Sequence, residues 1–173
     1  MAQTFDLREL IGLDLPGNNT VSGIASDSRK AAAGFVFFAI PGTKVDGAKY
    51  ANDAATRGAT VVVGEGARPA ELLERLHYYR VQDVRRELAL AAAKVFPRQP
   101  RTMVAVTGTN GKTSVASFVR QIWAALGEKA ASVGTIGLVT PNGETAGSLT
   151  TPDPIALHEL LDRLAREGVT HMA

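Results

Sequence analysis

The stretch that most constrains this chain is Val104-Ala-Val-Thr-Gly-Thr-Asn-Gly-Lys-Thr-Ser114, an apolar run, a loop bracketed by glycines, and Lys112 and Thr113 at the start of a helical pattern. Gly108 and Gly111 carry no Cβ, so the backbone between them can turn sharply and aim its N–H groups at an anion. A helix opening at Lys112 adds the positive end of its dipole. The Lys112 ammonium then suits the β- and γ-phosphates of a nucleoside triphosphate, and the Thr113 hydroxyl suits the Mg²⁺ that bridges them. The spacing is G-x-x-G-K-T. The ordinary Walker pattern places a further glycine five residues before the Gly-Lys pair, where this chain has Val106. A strand ending at this loop and a helix leaving it require an α/β fold around it.

The residues on either side repeat that alternation. The patterns predict a helix over 5–13, a strand over 21–25, a central strand over 34–40 broken by Pro41-Gly42, a helix over 46–57 and a strand over 60–63. A helix is predicted from Pro69 carrying Leu72, Leu73 and Leu76, then a strand over 78–81 and a helix capped by Asp83. Residues 96–101, with two prolines in four positions, divide a first domain, 1–97, from a second, 98–173. In the second, a strand over 102–106 leads into the loop. The following helix places Val115, Phe118, Val119, Ile122, Trp123 and Leu126 on a face predicted to be core. A strand over 130–133, a hairpin turn at Asn142-Gly143, and a helix begun by Asp153 and Pro154 complete the reading. Residues 169–173 read as a strand opening without partner sequence after it, and the second domain is expected to be incomplete, since doubly wound nucleotide-binding sheets use more strands.

Composition excludes several classes. A net charge of +2 from 19 basic and 17 acidic residues, interspersed and not gathered into a stripe, argues against a nucleic-acid partner. No cysteine is present, so disulfides and thiolate metal sites are excluded, and a reducing compartment fits. The N-terminus has Asp6 and Glu9 where a signal peptide would be basic, and the longest apolar run, 31–41, is too short for a bilayer. A cytoplasmic protein without a membrane partner is expected.

With the loop Thr107-Gly-Thr-Asn-Gly-Lys-Thr113 and the segment Leu149-Thr-Thr-Pro-Asp-Pro154 in view, the chain resembles the Mur ligases. Asp27-Ser-Arg29, the run 34–40, Gly42 and Asp46-Gly47 point within that family to the members that add the third amino acid. The resemblance implies a Rossmann-like UDP-binding domain followed by the first part of a P-loop ATPase-type central domain. It implies ATP at Gly108, Thr109, Asn110, Gly111, Lys112, Thr113 and Ser114, with Lys112 catalytic and Thr113 on Mg²⁺. Ser28 and the loop residues Thr43, Lys44 and Val45 would hold the uridine diphosphate end of UDP-N-acetylmuramoyl-L-alanyl-D-glutamate, and Thr150 and Thr151 its muramoyl-peptide part.

The implied reaction is amide formation through an acyl phosphate, with meso-diaminopimelate or L-lysine as acceptor, by an enzyme expected to be monomeric when complete. Residues 1–173 alone are expected to be inactive, because the family places a metal-binding glutamate, a modified lysine, a histidine and an amino-acid-selecting domain further along. Relatives often have His-Gln-Ala where this chain has Thr43-Lys-Val45, and asparagine where it has Leu149. Read without the resemblance, Asp27-Ser-Arg29 is equally consistent with an ordinary turn after a strand, and Thr150-Thr151 with a lead-in to the Asp153 cap. The alternatives for function are a folylpolyglutamate synthase, which shares a similar loop, and a non-catalytic UDP-sugar-binding module with a vestigial ATP loop.

Overall fold

The computed structural model describes residues 3–16, 19–42, 46–146 and 153–173, which form two compact units, 1–95 and 96–173. In the first, β1 (Phe5–Asp6) leads into a short helix α1 (Leu7–Ile11), shorter than the predicted 5–13. The Asp6 carboxylate caps it by accepting from the N–H groups of Arg8 and Glu9, and Gly12 ends it in the left-handed conformation at φ 73°. β2 (Thr20–Val21) pairs antiparallel with β1.

Four parallel strands follow: β3 (Gly23–Ala25), β4 (Phe35–Phe38) and, after α2 (Ala51–Thr56), β5 (Val61–Gly64) and β6 (His77–Arg80), side by side in that order. Val36, Phe37 and Phe38 on β4 and Val61, Val62 and Val63 on β5 are buried on both faces of the sheet, which is why they read as unbroken apolar runs. α3 (Val84–Val95) turns Val84, Leu88, Ala91 and Ala92 inward, and Asp83 accepts from the Arg86 N–H at its start.

The helix predicted from Pro69 is absent. Residues 69–76 form turns, because the carbonyls that a helix would use internally are taken by one side chain. The Arg68 guanidinium donates to Leu72, Leu73 and Leu76, while Asn52 accepts from the Leu73 N–H and donates to the Glu71 carbonyl. Leu72 and Leu76 reach the core from these turns.

The second unit begins with β7 (Thr102–Met103), followed by α4 (Lys112–Ala125), β8 (Ala130–Gly134), β9 (Gly137–Thr140), β10 (Gly143–Thr145), α5 (Pro154–Arg166) and β11 (His171–Met172). The sheet order is β10-β9-β8-β11-β7. The closing strand therefore has partners on both sides, β8 and β7, each parallel to it, and both precede it in sequence. β7 is shorter than the predicted strand and pairs with β11 at two positions, and the Val104 N–H donates to the Met172 carbonyl.

Two hairpins carry the chain through β8, β9 and β10; Thr135 and Ile136 turn the first, and Pro141 and Asn142 the second. Asp153 and Pro154 begin α5 as expected, with the carboxylate accepting from the N–H groups of Ile155 and Ala156. No helix among the described residues is long and apolar enough to cross a membrane.

The face of α4 differs from expectation. Phe118, Ile122 and Leu126 are 60%, 59% and 74% exposed, and the helix instead turns toward the sheet the face that runs through Thr113, Ala116 and Ser117. Helical phase explains it: residues three and four beyond Thr113 lie above it, so the orientation of Thr113 sets which stripe packs.

The connector at 96–101 is tied to α5 by Asp162, whose carboxylate accepts from the Arg98 N–H at 3.1 Å and from Arg166 Nε at 2.5 Å. The hydrogen bond from Arg166, then that from Arg98, holds the Asp162 carboxyl below the ordinary carboxylate range. Brief trypsin treatment should cut first after the exposed Arg98, leaving two resistant fragments, and Asp162→Ala should speed that cut several-fold by freeing its backbone. Mass spectrometry of the fragments checks this, and first cleavage within either unit would contradict it.

Candidate functional site

The phosphate-loop candidate forms at the N-terminus of α4. Gly108 and Gly111 have φ of 144° and 78°, values at which a side chain would be strained, so the two glycines answer a geometric demand. Gly111 is the N-cap of α4 and supplies no side-chain cap, which leaves the first N–H groups of the helix to solvent or an anion. Lys112 Nζ folds back onto the carbonyl oxygens of Gly108 and Thr109, the second at 3.3 Å. Thr109, Asn110 and Ser114 are exposed around it.

Thr113 Oγ1 lies 2.8 Å from Thr135 Oγ1, the hydroxyl at the tip of the β8–β9 hairpin. Lys112, Thr113 and Thr135 border a cavity of about 350 Å³ whose other walls include Val133, Leu157 and Met172. An ammonium, two hydroxyls and open N–H groups at one helix start suit a polyphosphate and a hard cation taking oxygen ligands. Among the described residues no cluster of three or more His, Asp or Glu could hold a metal by itself, so the cation's protein contact here would be the Thr113 hydroxyl.

The first unit offers a second candidate, at the carboxyl ends of its parallel strands, where open α/β sheets place ligands. Beyond β3, Asp27 caps a single 3₁₀ turn, Ser28–Lys30. Its carboxylate is occupied by the Arg29 N–H, Nε and Nη2, so Asp27 shapes the turn that carries Ser28. Ser28 is 9% exposed.

Beyond β4, the bridge between Pro41 and Asp46 closes the base of a loop, and Arg85 Nη2 donates to the Pro41 carbonyl at 2.9 Å. Gly47 follows, packed so closely that a Cβ would stand 2.5 Å from the Ile40 oxygen, which accounts for the glycine after Asp46. Thr43, Lys44 and Val45 in this loop, and Thr150 and Thr151 in the other unit, lie outside the described residues. Beyond β5 and β6, Glu65 accepts from the Val84 N–H and Arg80 Nε donates to the Glu65 carbonyl. Thr135, Arg85 and Arg80 were not singled out by sequence. The glycines flanking Thr135-Ile136 were the available sign for the first, and nothing local marks the two arginines.

The profile of the Mur ligase family, catalytic domain, matches residues 20–106, and that of the Mur ligase middle domain matches residues 106–173. The chain belongs to the Mur ligase family. It is 52% identical over 172 residues to a UDP-N-acetylmuramoyl-L-alanyl-D-glutamate--2,6-diaminopimelate ligase of Bradyrhizobium diazoefficiens, covering 96% of this chain and 35% of that protein. It is 55% identical over 171 residues to the protein of the same name from Mesorhizobium japonicum, covering 95% and 35%. The chain thus spans about a third of the length of these relatives.

In fold, it matches a solved structure of a ligase with that name at a TM-score of 0.80 and 24% identity, over 98% of this chain and 35% of the other. It also matches MurF from Acinetobacter baumannii at a TM-score of 0.56 and 21% identity, over 96% and 33%. The mixed α/β architecture with parallel sheets is therefore that of Mur ligases.

The Asp27 turn gives a pH prediction. Hydrogen bonds from the Arg29 side chain, then from its backbone N–H, lower the Asp27 carboxyl to about 2. A depressed folded-state value contributes stability that is present above the unfolded value of about 3.9 and is lost as pH falls toward 2. Asp27→Asn should therefore flatten the fall in stability between about pH 4 and 2, read by urea denaturation, and a carboxyl NMR titration placing Asp27 near 3.9 would contradict the pairing. Gly47→Ala should cost about 1–3 kcal/mol by crowding Ile40, measured in the same way.

Proposed function

We propose that these residues are the substrate-holding and phosphate-loop parts of an ATP-dependent ligase that joins 2,6-diaminopimelate to UDP-N-acetylmuramoyl-L-alanyl-D-glutamate, in the assembly of peptidoglycan precursors. The observation that carries the reading is the loop itself: two glycines at positive φ, a lysine and a threonine at the start of α4, in a chain of this family. The relatives' names supply the substrates, and they favour diaminopimelate over L-lysine as the acceptor.

In this reading the division at residue 97 separates two tasks. The first domain holds the uridine diphosphate end through Ser28 and the loop residues Thr43, Lys44 and Val45. Ser28 sits on a turn made rigid by Asp27 and Arg29, and the loop is held at its base by the Pro41–Asp46 bridge and Arg85. The second domain holds ATP through Gly108, Thr109, Asn110, Gly111, Lys112, Thr113 and Ser114, while Thr150 and Thr151 take the muramoyl-peptide portion.

The chemistry asks for positioning and charge neutralisation more than covalent participation. Lys112 leaves the carbonyls of Gly108 and Thr109 for the phosphates, so it exchanges one set of oxygens for a more negative one. The loop N–H groups take up charge that moves onto the transferred phosphoryl group. Thr113 holds Mg²⁺, which when bound neutralises phosphate charge. The γ-phosphoryl group passes to the substrate's terminal carboxylate with release of ADP, and the acceptor amine then attacks the acyl phosphate, forming the amide as inorganic phosphate leaves and the amine gives up a proton.

Calorimetric titration of the 1–173 chain tests the assignment. Lys112→Ala should weaken ATP binding by about 2 kcal/mol, the scale of a hydrogen bond to a charged group, and leave the affinity for UDP-N-acetylmuramoyl-L-alanyl-D-glutamate unchanged. Ser28→Ala should do the reverse, costing about 1 kcal/mol for the UDP substrate alone. Unaltered ATP affinity in the lysine variant would remove the loop from the proposal.

A further inference from the structure

The assignment of the phosphate loop leaves Thr135 without a part, although its hydroxyl is placed against the loop's most chemically constrained atom. Thr135 Oγ1 is 2.8 Å from Thr113 Oγ1 across 22 residues of sequence. It reaches that point from the tip of a two-residue turn whose flanks, Gly134 and Gly137, are paired, with Gly137 at φ 104°. Below the tip, Ser132 and Val133 pair with Val139 and Leu138, and Ala130 and Ala131 pair with β11. The hydroxyl is thus carried by the sheet, while its partner is carried by the helix.

We propose that Thr135 is a positioning residue of the nucleotide site, which holds the Thr113 hydroxyl in the orientation that ligates the divalent cation of metal–ATP. The inference rests on the loop being a nucleotide site and adds a residue to it. A threonine hydroxyl has one hydrogen and two lone pairs. To present a lone pair to a cation it must send its proton elsewhere, and Thr135 Oγ1 is an acceptor at the right distance. Either hydroxyl can donate across this contact, and when the Thr113 proton is directed to Thr135 both Thr113 lone pairs are left for a cation. Both residues are β-branched and stiff about χ1, so one hydrogen bond between them selects a rotamer at each. Outer partners of this kind orient a ligand without touching the metal, and removing one typically lowers metal affinity tenfold or more.

The test separates metal-dependent from metal-free nucleotide binding. The 1–173 chain is titrated with ATP in the presence of Mg²⁺ and, separately, in EDTA, with bound Mn²⁺–ATP followed by its electron paramagnetic resonance spectrum. In Thr135→Val, affinity for Mg²⁺–ATP should fall about tenfold while affinity in EDTA stays unchanged, and the bound Mn²⁺ signal should broaden; Thr135→Ser should restore both. Thr135→Ala, which leaves the turn less crowded, should reproduce the valine variant, and circular dichroism confirms that each is folded.

Wild-type Mg²⁺–ATP affinity in folded Thr135→Val and Thr135→Ala, with Lys112→Ala still impaired, would overturn the role of Thr135 and leave the nucleotide site standing. An equal loss with and without metal would make Thr135 a general support of the loop, which also overturns it. Absence of ATP binding in the wild-type chain under every condition would overturn the nucleotide site and this proposal together.

Discussion

The second unit depends on a ladder two residues long. His171 and Met172 lie between β8 and β7 and pair in parallel with both, and so join the strand that enters the phosphate loop to the strand that ends in the Thr135 hairpin. The Ala173 N–H donates to Ala131, the Val133 N–H to Ala173, and the Val104 N–H to Met172, which extends the ladder by single bonds at its end. Behind it, Trp123 of α4 packs against the His171 ring at a tilt of 53° with centroids 4.9 Å apart, and Glu128 approaches His171 Nδ1 at 3.3 Å. The last residues of the chain therefore set the separation of two elements that come much earlier in it.

The two units meet the same problem, holding a loop at the end of a parallel sheet, by different means. In the first, side chains tie the loop bases: Asp27 with Arg29, and Arg85 with Pro41. In the second, backbone conformation at Gly108 and Gly111 shapes the loop, and one hydroxyl pair anchors it. The distinction suits the proposed ligands, since a phosphate chain is read well by backbone N–H groups, whereas a nucleoside end asks for particular side chains and a fixed loop.

Much of this was legible in the sequence where a residue type answers a local demand. Gly108 and Gly111 announced a sharply turned loop, the runs 34–40 and 60–63 announced buried strands, and Asp153-Pro154 announced a helix start. What was not legible depended on distant partners. Arg68 overrides the helical pattern of Leu72, Leu73 and Leu76 by claiming their carbonyls, a contest that periodicity does not register. The apolar stripe of α4 was visible, but its direction follows from Thr113 facing the Thr135 hairpin. Thr135 itself carries no motif, because its importance comes from a hydrogen bond to a residue 22 positions earlier. The closing strand was visible as a strand, yet its central place was not, since sheet order is decided by crossovers and not by local pattern.

The order β10-β9-β8-β11-β7 leaves the two margins of this sheet unlike each other. At one margin, Glu144 of β10 puts a charge on a short, fully exposed strand, a feature that discourages lateral addition of another strand. At the other, β7 presents Met103 at 46% exposure and carries no charged residue. The two margins thus differ in their own chemistry: β10 carries a carboxylate that discourages lateral pairing, and β7 has no counterpart to it.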